Sequence, residues 1–142
     1  MYVPGRAAAI FALRAFVRER AGHRCEYCHR REEDAGTLAF QIEHIIAKQH
    51  GGTDDPGGLC YACAQCNWAK GPNLVGLLAG KLYALFNPRK QSWHRHFCWD
   101  QTILLGKTKT GIVTVQVLYI NDPARVMLRE NLLFESRFPP EE

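Results

Sequence analysis

Two C-x-x-C hooks, Cys25–Cys28 and Cys63–Cys66, constrain this chain more than any other feature. Four thiolates in that paired spacing converge into a tetrahedral cage for zinc, so two distant parts of the chain must meet at one point. The 34 residues between Cys28 and Cys63 exceed what a simple zinc ribbon needs, and a functional segment is expected inside the loop. A cage of four thiolates has no position open to water. The zinc (Zn2+) is therefore expected to be structural, and the chemistry lies elsewhere. Cys60 and Cys63 form an overlapping hook. Cys63 and Cys66 are preferred because both open the helix carrying Asn67, which leaves Cys60, and the isolated Cys98, as small core residues.

At 142 residues the chain has the length of one domain with appended elements, and it shows no internal repeat. Ile10, Leu13 and Val17 recur at helical spacing, predicting a helix from Pro4 to Ala21 with one buried face, stopped by Gly22. Its other face holds Arg14, Arg18 and Arg20, either solvated or in contact with phosphate. A strand is expected at Leu38–Ile42, a long loop through Gly51–Gly58, and a short helix over Leu59–Lys70, ended by Gly71 and Pro72. In the last third, Ile103–Leu105 and Ile112–Tyr119 read as a hairpin around Lys107–Gly111, with Val113, Val115, Val117 and Tyr119 on one buried face. Asp122 then caps a helix with Pro123 in its first turn, and Val126, Leu128, Leu132 and Leu133 supply its apolar contacts.

A formal net charge of +4 favours an anionic partner. The apolar stretch Ala7–Leu13 is followed by Arg14 and Arg18, which argues against a signal peptide, a membrane span or a membrane partner. The expected location is cytoplasmic, where reduced cysteines serve as metal ligands or free thiols in preference to disulfides. The run Arg89, Lys90, Trp93, His94, Arg95, His96, Phe97 and Trp99 mixes cations with aromatics. It reads either as a track for a nucleic-acid strand or as a hairpin-packing segment with exposed charges.

Between the hooks, FQIEHIIAKQHGG and CNWAKG resemble the HNH endonuclease family, in its zinc-stapled bacterial type. Glu43-His44 match the acidic-His pair at a strand end, Gly51-Gly52 the loop, and Asn67 the residue opening the helix. The resemblance covers about Gly22 to Leu74. It implies an α+β fold: a ββα-metal core with a four-cysteine zinc site, preceded by an N-terminal helix and followed by a C-terminal β-hairpin plus helix. Residues 1–80 would form the nuclease domain with its N-terminal helix, and residues 81–142 an α+β extension packed on it. That extension is similar to one on some bacterial HNH proteins through NPRKQSWHRHFCW and KTKTG.

The implied activity is metal-dependent hydrolysis of phosphodiester bonds in DNA, with contacts mainly to the phosphate backbone and no small-molecule cofactor. His44 suits the general base, because an imidazole can be unprotonated near neutral pH. Glu43 and Asn67 offer hard oxygen ligands for a catalytic Mg2+ or Mn2+. Lys48, His50 and Lys70 flank the site and, with Arg14 and Arg18, are expected nucleic-acid contacts or solvated residues. Trp68 reads as core or as a base-stacking aromatic, with core preferred.

One letter departs from the family pattern. Gly58 stands where the central Asn is expected, in PGGLC. Asp54, Asp55 or a water could replace its bond to the histidine. Otherwise the chain is a weak or inactive nucleic-acid-binding zinc module, or a zinc-stapled interaction domain.

Overall fold

Gly22, at φ 67°, ends helix α1 (Arg6–Arg20) and turns the chain into the first cysteine hook. The computed structural model describes residues 6–140; the expected start of α1 at Pro4 lies outside them. The buried face of α1 is narrower than its pattern: Val17 is fully buried and Leu13 partly so, but Ile10 is 59% exposed. The arginines anchor the helix instead. Arg14 donates to the Phe40 carbonyl at 2.9 Å, Arg18 pairs with Glu32 at 2.8 Å, and Arg20 reaches the carbonyls of Pro56 and Leu59. Arg14 and Arg18, expected as nucleic-acid contacts, thus stitch α1 onto the core.

The core is a ββα unit. Strands β1 (Gln41–His44) and β2 (Leu59–Ala62) pair antiparallel, with Glu43 opposite Cys60 and His44 opposite Leu59; helix α2 (Ala64–Lys70) follows. Two expectations shift. The strand expected at Leu38–Ile42 begins at Gln41, and the helix expected over Leu59–Lys70 is divided into β2 and α2. All four β2 side chains are buried and its backbone is spent on β1, so a helix can begin only after Cys63, whose extended backbone caps α2. In the connecting loop, Gly52 lies against the Ile46 carbonyl, where a Cβ would sit 1.7 Å away, so only glycine fits.

Beyond the core come hairpin β3–β4 (Val75–Leu78, Lys81–Ala84), helix α3 (Trp93–His96), hairpin β5–β6 (Phe97–Asp100, Ile103–Gly106), helix α4 (Lys109–Val117) and helix α5 (Pro123–Phe134). The class is α+β, but the expected hairpin partner at Ile112–Tyr119 is mostly α4. Tertiary contact overrides β propensity there. Thr108 caps the helix through Gly111 N–H at 3.0 Å, Gly111 packs on the His96 carbonyl, and Gly76 of β3 fits against Val113 and Val117, one turn apart. Ile103 pairs with Asp100 instead. The expected division after residue 80 falls in the β3–β4 turn.

In α5, Asp122 caps Ala124 at 3.1 Å as expected, but the inward residues are Arg125 and Arg129, while Leu128 and Leu133 remain substantially exposed. Arg129 donates to the Thr102 and Ile120 carbonyls and lies over Trp99. The cation-aromatic run packs: Trp93 stacks on His29, its indole donates to the Tyr27 carbonyl at 2.8 Å, Phe97 meets Phe86 edge-on, and Arg89 pairs with Glu26. Among the described residues no helix is long and apolar enough to cross a membrane.

Candidate active site and metal centre

The two hooks fold alike. Each has a cysteine whose sulfur faces the backbone N–H three residues on: Cys25 from Cys28 at 3.5 Å, and Cys63 from Cys66 at 3.4 Å. Cys63 caps α2, so its sulfur sits at the positive end of that helix. The ligand atoms of Cys25, Cys28, Cys63 and Cys66 all lie within 4.8 Å of one another, with Cys28 and Cys63 sulfurs 3.7 Å apart. A tetrahedron with Zn–S bonds of about 2.3 Å has edges near 3.8 Å, so this buried all-sulfur set fits zinc. Arg125 extends from α5 and donates to Cys66 Sγ at 3.0 Å and to the Leu118 carbonyl at 2.8 Å. Four thiolates around a divalent ion leave net negative charge, and this guanidinium offsets part of it.

The two residues of the Glu-His pair point opposite ways, as neighbours on a strand do. Glu43 turns inward. Its Oε1 accepts from Lys70 Nζ at 3.0 Å and its Oε2 from the Tyr27 hydroxyl at 2.9 Å, with the Cys60 thiol beside it. Burial pushes the Glu43 carboxyl above its ordinary value, although Lys70 pulls the other way. Burial likewise raises the Cys60 thiol, which stays a protonated core residue as expected. Lys70, expected as a phosphate contact, is 1% exposed and also donates to the Ile45 carbonyl at 3.0 Å. Its ammonium serves the interior.

His44 turns outward, into a cavity of about 420 Å³ that it lines with Lys48, Asn67 and Trp68. Its Nε2 meets Asp54 Oδ1 at 2.8 Å, and Lys48 Nζ meets Asp54 Oδ2 at 3.1 Å. Hydrogen bonds from His44 and then Lys48 hold the Asp54 carboxyl below the usual carboxylate range. Asn67, from α2, donates its Nδ2 to Gln41 Oε1 at 2.6 Å, which leaves its Oδ1 as an acceptor. Lys48 and His50 are exposed on the loop after β1. The structure thus brings Glu43, His44, Asn67 and Lys48 to the lining of one cavity, with the Glu43 carboxylate bonded inward to Lys70 and Tyr27.

Gly58 does not strain the loop. A Cβ there would meet only the Thr53 carbonyl at 3.5 Å, while the Gly58 carbonyl accepts from Ile45 N–H at 2.9 Å. Trp68 departs from the preferred core reading, being 90% exposed.

Sequence reasoning did not assign Tyr27, Gln41 or Arg125 to these sites. Arg125 and Arg129, four apart, share one face of α5, but a charged face ordinarily reads as solvated and only the structure shows that both are buried. Tyr27 lies inside the first hook and gives none.

Residues 25–73, about a third of the chain, match the family model described as HNH endonuclease. No curated protein and no solved structure matches the chain.

Proposed function

We propose that this chain, which carries an HNH domain over residues 25–73, is a metal-dependent endonuclease that hydrolyses phosphodiester bonds in DNA. The observation that carries the reading is His44 at the end of β1, held by Asp54 and sharing an open cavity with Asn67. Asp54 engages Nε2, so Nδ1 is the nitrogen assigned to take a proton from the attacking water. Asp54 stabilises the imidazolium that results, the service the missing central Asn would otherwise give. Lys48, beside Asp54, adds positive charge for an incoming phosphate.

A hard divalent cation, Mg2+ or Mn2+, would be held by Asn67 Oδ1 and would offset charge on the phosphoryl oxygens. Such ions are usually held through one or two carboxylates together with waters and substrate oxygens. Glu43, which lines the same cavity, would supply that carboxylate on releasing Lys70; while bonded to Lys70 it positions β1, and therefore His44.

The test is nicking of supercoiled plasmid in Mg2+ or Mn2+, with and without chelator, beside His44→Ala. Nicking that needs metal and is lost in His44→Ala is expected; nicking unchanged by His44→Ala refutes the assignment. Salt-sensitive DNA binding without any nicking would mark an inert binding module, the reading that Gly58 favours.

A further inference from the structure

Helix α2 sends Asn67 toward the reaction cavity and Lys70 into the core, and sets Trp68 between them almost wholly in solvent. A tryptophan left at 90% exposure leaves most of its large apolar surface in water, and its ring face is open. Its position gives that face a use. The indole lines the cavity of His44, Lys48 and Asn67, and also an adjoining groove of about 530 Å³ whose walls include Tyr119, Leu118, Ala69 and Leu128. Trp68 is therefore the partition between the site of bond cleavage and an apolar recess.

The recess suits a flat ring with polar edges. Tyr119, on a left-handed backbone at the end of α4, is 67% exposed and presents a second aromatic surface. Gln65 and Asp122 border the groove with polar groups. Arg125, the one cation among the described residues that line it, is tied to Cys66 and the Leu118 carbonyl, so the groove is poorly suited to track phosphate. A phosphate beside His44 and Asn67 and an apolar recess immediately next to it match the two halves of one nucleotide.

We infer that Trp68 stacks on the nucleobase flanking the scissile phosphate, so that the substrate is a strand with an unpaired base there. This inference rests on the nuclease reading for the place of the phosphate. Base–aromatic stacking is sequence-tolerant and is lost when the base is held in a duplex stack. Single-stranded DNA, or a duplex with an unpaired nucleotide at the cleavage position, as where negative supercoiling opens base pairs in a plasmid, is the substrate class that follows.

Fluorescence anisotropy of labelled oligonucleotides tests this in the His44→Ala form of the whole 142-residue chain with zinc bound, so that binding is read without turnover. Adding Trp68→Ala should weaken single-strand binding by about tenfold, while Trp68→Phe retains most of it. Binding to a fully paired duplex of the same sequence should change less than about twofold. Equal losses on both forms, no loss on either, or no single-strand binding even at low salt would overturn the inference. So would light scattering that shows a dimer dissociating to monomer in Trp68→Ala with oligonucleotide binding intact, because the groove would then hold a second copy. Cleavage unaffected by His44→Ala, together with Trp68-dependent single-strand binding, would refute the nuclease mechanism and leave the stacking site standing.

Discussion

Lys70 Nζ sits 3.0 Å from Glu43 Oε1, with both side chains removed from solvent beneath the candidate active site. The same ammonium donates to the carbonyl of Ile45, the residue after His44. One cation thus joins the end of α2 to the strand that delivers the histidine.

Removing one member of such a pair leaves the other charged and buried. Lys70→Met should destabilise the fold by about 3–5 kcal/mol, whereas Glu43→Gln with Lys70→Met should recover much of that loss. Urea unfolding of the zinc-loaded proteins measures both. If Lys70→Met unfolds like the wild type, the pair does not hold β1 to α2, and Glu43 is free to serve as a metal ligand.

In the proposed mechanism Asp54, 2.8 Å from His44 Nε2, takes the orienting role of the central Asn that Gly58 replaces. Asp54→Ala should lower plasmid nicking by about 10 to 100-fold with unchanged zinc content, the usual cost of losing a residue that orients a site histidine. The space at Gly58 makes the converse test, Gly58→Asn, possible: a Cβ there meets only ordinary contact at the Thr53 carbonyl. Introduced into Asp54→Ala, it should restore part of the nicking. No rescue would mean that His44 does not take its orientation from this side of the loop.

The sequence displayed the four-cysteine cluster and the outline of the ββα core because metal-ligand spacing and the Glu-His pair leave local marks. It concealed what depends on contact between distant segments. Ile112–Tyr119 carries strand-forming residues, yet Gly76 admits the Val113 and Val117 side chains against β3, Gly106 and Gly111 let the backbone lie close against β6 and the end of α3, and a helix results. The direction of the Glu43 carboxylate is settled by Tyr27 and Lys70, 16 residues before it and 27 after, so adjacency to His44 carried no information about it. Arg14, Arg18 and Lys70 were legible as charges but not as intramolecular donors, since their acceptors are the Phe40 and Ile45 carbonyls and the carboxylates of Glu32 and Glu43 on other elements.

Acid should act on the seam between α1 and the core. Burial pushes the Glu32 carboxyl up, but hydrogen bonds from Tyr61 and Arg18 pull it down further, leaving it below its ordinary value. A depressed carboxylate contributes stability in full above its unfolded pKa, about 4.3, and loses it as pH falls through the lower folded value. The urea midpoint of the wild type should therefore fall more steeply than that of Glu32→Gln as pH drops below about 4.3, with zinc in excess throughout. Parallel slopes in the two proteins would show that Glu32 does not carry the acid sensitivity.

Arg125 ties the C-terminal helix to the metal centre, and its two ends do different work. Nη2 faces Cys66 Sγ at 3.0 Å, and Nη1 holds the Leu118 carbonyl at 2.8 Å, just after α4. A lysine carries the same charge but cannot span both acceptors with a rigid fork. Arg125→Met should therefore weaken zinc retention by about 10 to 100-fold, and Arg125→Lys should recover only part of it. Competition with a chromophoric chelator reports the zinc affinity, and helix content by circular dichroism reports whether α5 remains folded. The expected result is faster zinc loss in both variants before helix content falls. Unchanged zinc retention in Arg125→Met would mean that the four cysteines hold the ion without help from α5, and that the guanidinium serves only to close the C-terminal helices.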